Sequence, residues 1–158
     1  GINTMGNEKI IKELLDLSFF SGLNYDQLAK VSDHIESLDF QPETKVFSEG
    51  DIGDSVYFII EGTFEVIKDS DWGETVKLTT LTEGNSFGEM SVIDDQPRSA
   101  TVVSKTKAWV LKLKKDNFNI IVDRYQDIGL ILLKRMSHFL CRHVRQSNEA
   151  LADFIEPI

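Results

Sequence analysis

S-V-Y-F-I-I-E-G-T-F-E-V-I-K, residues 55–68, holds two short apolar runs rich in β-branched and aromatic residues, with Glu61-Gly62 between them. Each run has the length of a buried strand and is too short for a free-standing helix. The segment therefore reads as a strand from Ser55 to Ile60, a turn at Glu61-Gly62 and a return strand from Thr63 to Lys68.

Moving outward, the same alternation persists on both sides. On the C-terminal side a looser turn at Asp69 to Gly73 precedes a strand over Glu74 to Leu81, and strands resume at Ser99 to Val103 and Ala108 to Leu113. On the N-terminal side the two-residue period begins near Ser37. Turn signals stand at Glu49-Gly50-Asp51, Gly53-Asp54, Glu61-Gly62, Asp71-Trp72-Gly73 and Glu83-Gly84-Asn85. That cadence belongs to a small β-sandwich or β-barrel. Helical periodicity flanks it. Glu8 to Phe20 places Ile10, Ile11, Leu14, Leu15 and Leu17 on one face, and Ser21-Gly22 ends that helix. Asn24-Tyr25-Asp26-Gln27 is a capping-box start to a helix carrying Leu28, Val31 and Ile35 inward. Beyond Lys114, Asp116 is expected to cap a short helix reaching Arg124. A long helix is expected from about Asp127 to Asn148 or beyond, its stripe formed by Ile128, Ile131, Leu132, Met136, Phe139 and Leu140. The expected organisation is one α+β domain: N-terminal helices over 1–36, eight or so strands over 37–114, and C-terminal helices over 115–158.

Composition narrows the function. The 158 residues hold 17 Lys+Arg against 26 Asp+Glu, a formal net charge of −9, which disfavours bulk nucleic-acid binding. The deficit is uneven. Residues 1–97 carry 20 acidic and 6 basic side chains, whereas residues 98–145 carry 11 basic and 3 acidic ones, a field suited to an anionic ligand or an acidic partner surface. The lone Cys141 can form neither an internal disulfide nor a metal site by itself. No secretory leader and no membrane-length apolar run are apparent, so a cytoplasmic setting without membrane attachment is expected. There is no nucleophile–base pair and no metal-ligand spacing. His138 and His143 lie five apart on a helix, off a common face. The expectation is a protein that is not an enzyme, needs no cofactor and holds no metal.

Residues 85–101, N-S-F-G-E-M-S-V-I-D-D-Q-P-R-S-A-T, interrupt the strand pattern. Gly88 permits close approach of the backbone. Glu89 to Ile93 suit one helical turn whose first N–H groups lack a strong side-chain cap, which favours an anion. Pro97 fixes the backbone just before Arg98. Arg98 is expected to open an apolar strand, where its charge needs a partner: an intramolecular carboxylate such as Glu89, or a bound phosphate.

The run F-G-E-M-S-V-I-D-D-Q-P-R-S-A-T-V, residues 87–102, resembles the phosphate-binding cassette of the cyclic nucleotide-binding domain family. That family includes catabolite-activator-type bacterial regulators and the regulatory subunits of cAMP-dependent kinase. K-V-F-S-E-G-D-I-G-D-S-V-Y-F-I-I-E-G-T-F-E-V, residues 45–66, is similar to the family's glycine framework at Gly50, Gly53 and Gly62. L-D-L-S-F-F-S-G-L-N-Y-D-Q-L, residues 15–28, resembles its N-terminal helical motif. The resemblance implies an eight-stranded β-roll, a jelly-roll-like double sheet, with N-terminal helices and a long C-terminal helix. It implies a sensor of a 3′,5′-cyclic purine nucleotide, cAMP first and cGMP left open by Ser99. Gly88 and Glu89 would hold the ribose 2′-hydroxyl, and the amides of Met90 and Ser91 would face the cyclic phosphate. Arg98 would pair with a phosphate oxygen, with Ser99 adding its amide and hydroxyl. Positional matching sets Val66 and Leu78 against the base, and ungapped matching from Arg98 sets Phe139, His143 and Val144 in the lid.

Plainer readings stand beside these. Glu89 and Arg98 form an internal pair, Met90, Val92 and Ile93 pack, and Val66 and Leu78 are core. Trp72 contacts a partner or folds back over the sheet. The C-terminal stripe, with Val144, Leu151 and Phe154, exceeds what one sandwich buries, and a homodimer through that helix would absorb the excess. The downstream partner is not legible, and the length is expected to leave no room for an output domain. The alternative is a degenerate β-roll serving as an oligomerisation or docking module without nucleotide.

Overall fold

A computed structural model describes residues 4–154, with side-chain environments for 7–151. The chain runs α1 (Thr4–Leu15), a 3-10 turn (Ser18–Phe20), α2 (Tyr25–Ser32), β1 (Ile35–Phe40), β2 (Lys45–Phe47), β3 (Ser55–Glu61), β4 (Phe64–Asp69) and β5 (Thr75–Leu81). It continues through β6 (Ser86–Phe87), a second 3-10 turn (Glu89–Val92), β7 (Thr101–Ser104), β8 (Ala108–Lys114), α3 (Lys115–Arg124) and α4 (Gln126–Phe154). Two four-stranded antiparallel sheets, in the orders β1-β8-β3-β6 and β2-β7-β4-β5, make up the eight-stranded roll that the sequence implied.

The alternation in β3 explains the layering. Val56 and Phe58 point to the helices, where Leu14, Phe19, Phe20, Leu28, Leu111, Leu113, Ile128, Leu132 and Met136 complete one core. Tyr57 and Ile59 point the other way, into the space between the sheets, with Phe64, Phe87, Val102 and Val110. A strand buried on both faces loses the apolar/polar alternation of a surface strand, which is why this stretch is apolar throughout.

Several local expectations need correction. α1 ends at Leu15, not Phe20, and Leu15 is exposed. The backbone tightens there through Leu17 N–H to the Leu14 carbonyl (3.1 Å), and the following 3-10 turn presents Phe19 and Phe20 together to Phe58. The Asn24–Gln27 capping box is present, but α2 ends at Ser32 and the buried Ile35 belongs to β1. The N-cap of α3 is Lys114, without a side-chain bond, and Asp116 lies in the first turn, where its charge suits the helix dipole. Trp72 does not fold back: it stands 92% exposed on the β4–β5 hairpin. Phe154 lies outside the described side chains.

α4 is anchored by its first half. Ile128, Leu132 and Met136 are buried, the Gln27 side chain donates to Asp127 Oδ2 (2.9 Å), and Arg135 Nε donates to the Ser21 carbonyl (3.1 Å). From Cys141 to Leu151 every residue is exposed.

Candidate functional site

β6 delivers the chain to Gly88, which takes a left-handed conformation (φ +79°) and opens the 3-10 turn Glu89–Val92. A Cβ at Gly88 would overlap the Arg98 guanidinium and lie 2.9 Å from the Ser55 carbonyl oxygen, so the position needs glycine for space as well as for φ. Gly53 is constrained by space alone, since a Cβ there would overlap Ser91 Oγ.

The arm that returns from the turn is pinned at its base. Arg98 N–H donates to the Asp51 carbonyl (2.7 Å), Gly50 N–H donates to the Arg98 carbonyl (2.9 Å), and Ile52 bridges to Pro97. Lys115 Nζ donates to the Asp94 carbonyl (2.9 Å) and to the Asp95 carboxylate. The hydrogen bond from Lys115, then its charge, holds the Asp95 carboxyl below its usual value. Arg98 thus lies in a clamped, non-strand segment, and the β-strand begins three residues later at Thr101, not at Arg98 as expected.

Arg98 is buried, and none of its partners is charged. Nη1 donates to Ser91 Oγ (2.8 Å) and to the Gly88 carbonyl (3.3 Å), Nη2 donates to the Ser55 carbonyl (2.8 Å), and the guanidinium lies 4.0 Å over the Phe47 ring. Its Nε is buried without a partner. Burial pulls the group down from the ordinary arginine value, while Tyr57 first, then Asp54, Glu89 and Asp51, act the other way. A guanidinium remains charged at neutral pH. Among the described residues no carboxylate lies within ion-pair distance of Arg98. The internal Glu89–Arg98 pair is therefore not formed. Glu89 turns to α4, where its Oε1 accepts from His143 Nε2 at 2.9 Å, and its Oε2 is buried without a partner.

Over these groups lies a cavity of about 360 Å³. Phe47, Val66, Phe87 and Val102 supply its apolar wall, and Gly88 to Ser91, Pro97, Arg98 and Ser99 supply its polar side. Seven of the eleven sequence-derived site residues meet here: Gly88, Glu89, Met90, Ser91, Arg98, Ser99 and Val66. Ser91's amide donates to the Gly88 carbonyl (3.1 Å) and its hydroxyl oxygen accepts from Arg98, so the hydroxyl hydrogen is what it can still offer. Leu78 does not line the cavity. It is 54% exposed beside Trp72 and Val76, because a bulge in β4–β5 pairs Val66 with Thr79 and Ile67 with Lys77. Phe139 packs on the helical core, its ring 5.8 Å from Phe19. His143 reaches the site through Glu89, and Val144 lines a neighbouring cavity on the α4 side. Sequence reasoning missed Phe47, the Ser55 carbonyl and the steric role of Gly53. A two-residue period through Lys45-Val46-Phe47 gives the only hint of the first, and a backbone acceptor leaves none.

Several known proteins are similar to this chain. A family model described as the cyclic nucleotide-binding domain matches residues 37–125. A cAMP-dependent protein kinase regulatory subunit of Yarrowia lipolytica is 38% identical over 105 residues, covering 66% of this chain and 27% of that protein. A CRP-like cAMP-activated global transcriptional regulator of Mycobacterium tuberculosis is 28% identical over 136 residues, covering 86% of this chain and 59% of that one. The chain thus spans about a quarter of the kinase subunit's length and somewhat over half of the regulator's. Among solved structures, a cyclic nucleotide-binding domain from Methylobacillus flagellatus superposes with a TM-score of 0.81 at 22% identity, covering 96% of this chain and 85% of that one. The regulatory subunit of a cAMP-independent protein kinase A from Trypanosoma brucei superposes with a TM-score of 0.72 at 26% identity, over 85% of this chain and 48% of that one.

Proposed function

The chain belongs to the cyclic nucleotide-binding domain family, and from that membership we propose that it is a cytoplasmic sensor that reversibly binds cAMP in the cavity beside Arg98 and signals through α4. The observation that carries the reading is Arg98 itself. A buried cation lining a cavity, with only neutral acceptors around it, bears a desolvation cost that an anion in the cavity would offset. The cyclic phosphate supplies that anion, and guanidinium–phosphate hydrogen bonding is strong. The ribose 2′-hydroxyl would donate to Glu89, with the Gly88 amide alongside. The base would lie on the apolar wall that includes Val66, and the cavity volume falls in the range of small-molecule sites. cGMP is the second candidate ligand.

Signalling needs two arrangements of α4 that bind the ligand unequally. Leu130, Leu133, Val144 and Leu151 support a homodimeric output, since all four are exposed along α4 at heptad spacing. We therefore read the chain as a homodimer through α4 and as a binding module, not a catalyst.

Calorimetry tests the assignment. The wild-type chain is expected to bind cAMP, and Arg98→Ala to lower its affinity at least about tenfold. One hydrogen bond to a charged group contributes roughly 1.5–3 kcal/mol, and 1.4 kcal/mol is a decade. Equal affinities would refute the site. No binding of any cyclic nucleotide would favour the docking-module reading instead.

A further inference from the structure

An edge strand carries a row of unpaired N–H and C=O groups, and folds blunt such edges by shortness, charge or proline. The strand orders leave four edges here: β1 and β6 in one sheet, β2 and β5 in the other. Three are guarded in these ways. β6 has two residues, β2 has three, and β1 carries Glu36 and Asp39. β5 is different. Its seven residues, T-V-K-L-T-T-L, hold no proline and one charge, Lys77, and the first six are exposed. Among the described residues it pairs with β4 alone. Trp72, Val76 and Leu78 border one hollow beside it and are 92%, 45% and 54% exposed.

We propose that β5 pairs antiparallel with β5 of a second copy of this chain, about a two-fold axis at Leu78. The strand's sequence suits a copy of itself. That axis opposes Leu78 to Leu78, Lys77 to Thr79, Val76 to Thr80 and Thr75 to Leu81, and from Asp71 to Asn85 it sets no two charges opposite each other. An axis at Lys77 would oppose the two lysines, which is unfavourable. The axis at Leu78 also sets Trp72 opposite the second copy's Gly84. Nothing lies within 4 Å of a Cβ built at Gly84, so an indole has room to lie over that turn.

The area is sufficient for a modest interface. Two tryptophans bury about 300–500 Å² between them, and a specific interface needs roughly 1,000 Å² in total. Val76, Leu78 and the paired backbones supply the remainder, which places the contact at the weak end of the range. It uses none of the α4 residues assigned above to the dimer. Two isologous contacts on one chain would join α4 dimers into larger assemblies as concentration rises.

Sedimentation equilibrium over a concentration series tests the pairing, in wild type and in Val144→Glu, where the α4 contact is removed. The mass of Val144→Glu is expected to climb from monomer toward dimer with concentration. Adding Leu78→Lys, or Leu78→Glu, should weaken that association about fivefold or more. An equimolar mixture of the Lys and Glu variants should restore it, because the axis brings the two side chains together. Leu78 is exposed, so both variants should melt near the parent's temperature. A mass that does not rise in Val144→Glu would overturn the proposal. So would association indifferent to Leu78, or no recovery in the mixture. If the α4 contact does not form, Val144→Glu will match wild type, and the Leu78 variants still decide the β5 pairing.

Discussion

Gly84 and Gly88 have nearly the same positive φ, +85° and +79°, and differ in what a side chain would meet. At Gly84 nothing lies within 4 Å of a built Cβ. At Gly88 the Cβ overlaps the Arg98 guanidinium and sits 2.9 Å from the Ser55 carbonyl oxygen. Alanine at either position bears the left-handed penalty, about 1–2 kcal/mol. Alanine at Gly88 also drives Arg98 from the Gly88 carbonyl and Ser91 Oγ, stranding buried polar groups at about 1–3 kcal/mol more. In a domain of this size 1 kcal/mol shifts Tm by about 2–4 °C. Gly84→Ala is therefore expected to lower Tm by only a few degrees, and Gly88→Ala by at least about 2 °C beyond that. Scanning calorimetry of both variants gives the comparison. Cyclic nucleotide affinity should stay near wild type in Gly84→Ala and fall in Gly88→Ala. Equal melting temperatures would refute the argument that Gly88 exists to let the backbone approach Arg98.

Acid should loosen the cassette arm. The Asp95 carboxyl is held below its usual value by Lys115, so the contribution of that contact is complete above the unfolded carboxyl value of about 3.9 and is lost as pH falls through the lower folded value. Amide exchange in residues 94–98 should accelerate below about pH 4 relative to the core strands, and Lys115→Ala should abolish that step; an acid step unchanged in the variant would contradict it. Val144→Glu, on the exposed stripe of α4, should shift the oligomeric state toward monomer in sedimentation equilibrium while leaving the fold intact, and an unchanged dimer would move the interface elsewhere. In the core, Leu132→Ala should cost about 2–5 kcal/mol, read as a lowered denaturation midpoint, because Leu132 is fully buried between α4 and the roll.

What was legible in the sequence follows from the range of each signal. The doubly buried β3, the Glu61-Gly62 turn and the Asn24–Gln27 box act over a few residues, and their local pattern carries the strands and α2. The cassette was equally readable, because Gly88, Glu89, Pro97 and Arg98 lie within one continuous segment. The misread boundaries arose where tertiary packing overrides local period. Leu15 and Leu17 continue a helical stripe on paper, but seating Phe19 and Phe20 against Phe58 ends the helix early. Positional matching to the family sets Leu78 against the base, and such matching does not see the bulge at which Leu78 falls, opposite Val66 and Ile67. An internal pair between Glu89 and Arg98, nine residues apart and opposite in charge, is the plainer alternative to a bound phosphate that the sequence offers. The clamped arm instead aims Arg98 at Ser55 and Ser91, and leaves Glu89 to a histidine fifty-four residues away on α4. Local periodicity carries no trace of a contact at that separation, and only the positional matching to the family sets His143 near the site.

The central claim is that the cavity beside Arg98 takes a cyclic nucleotide. Titration calorimetry of the wild-type chain against cAMP, cGMP and linear 5′-AMP tests it most directly. The account predicts saturable binding of cAMP at one site per chain, with 5′-AMP much weaker because it lacks the cyclic phosphate ester. An absence of heat with both cyclic nucleotides, or equal binding of 5′-AMP and cAMP, would contradict it.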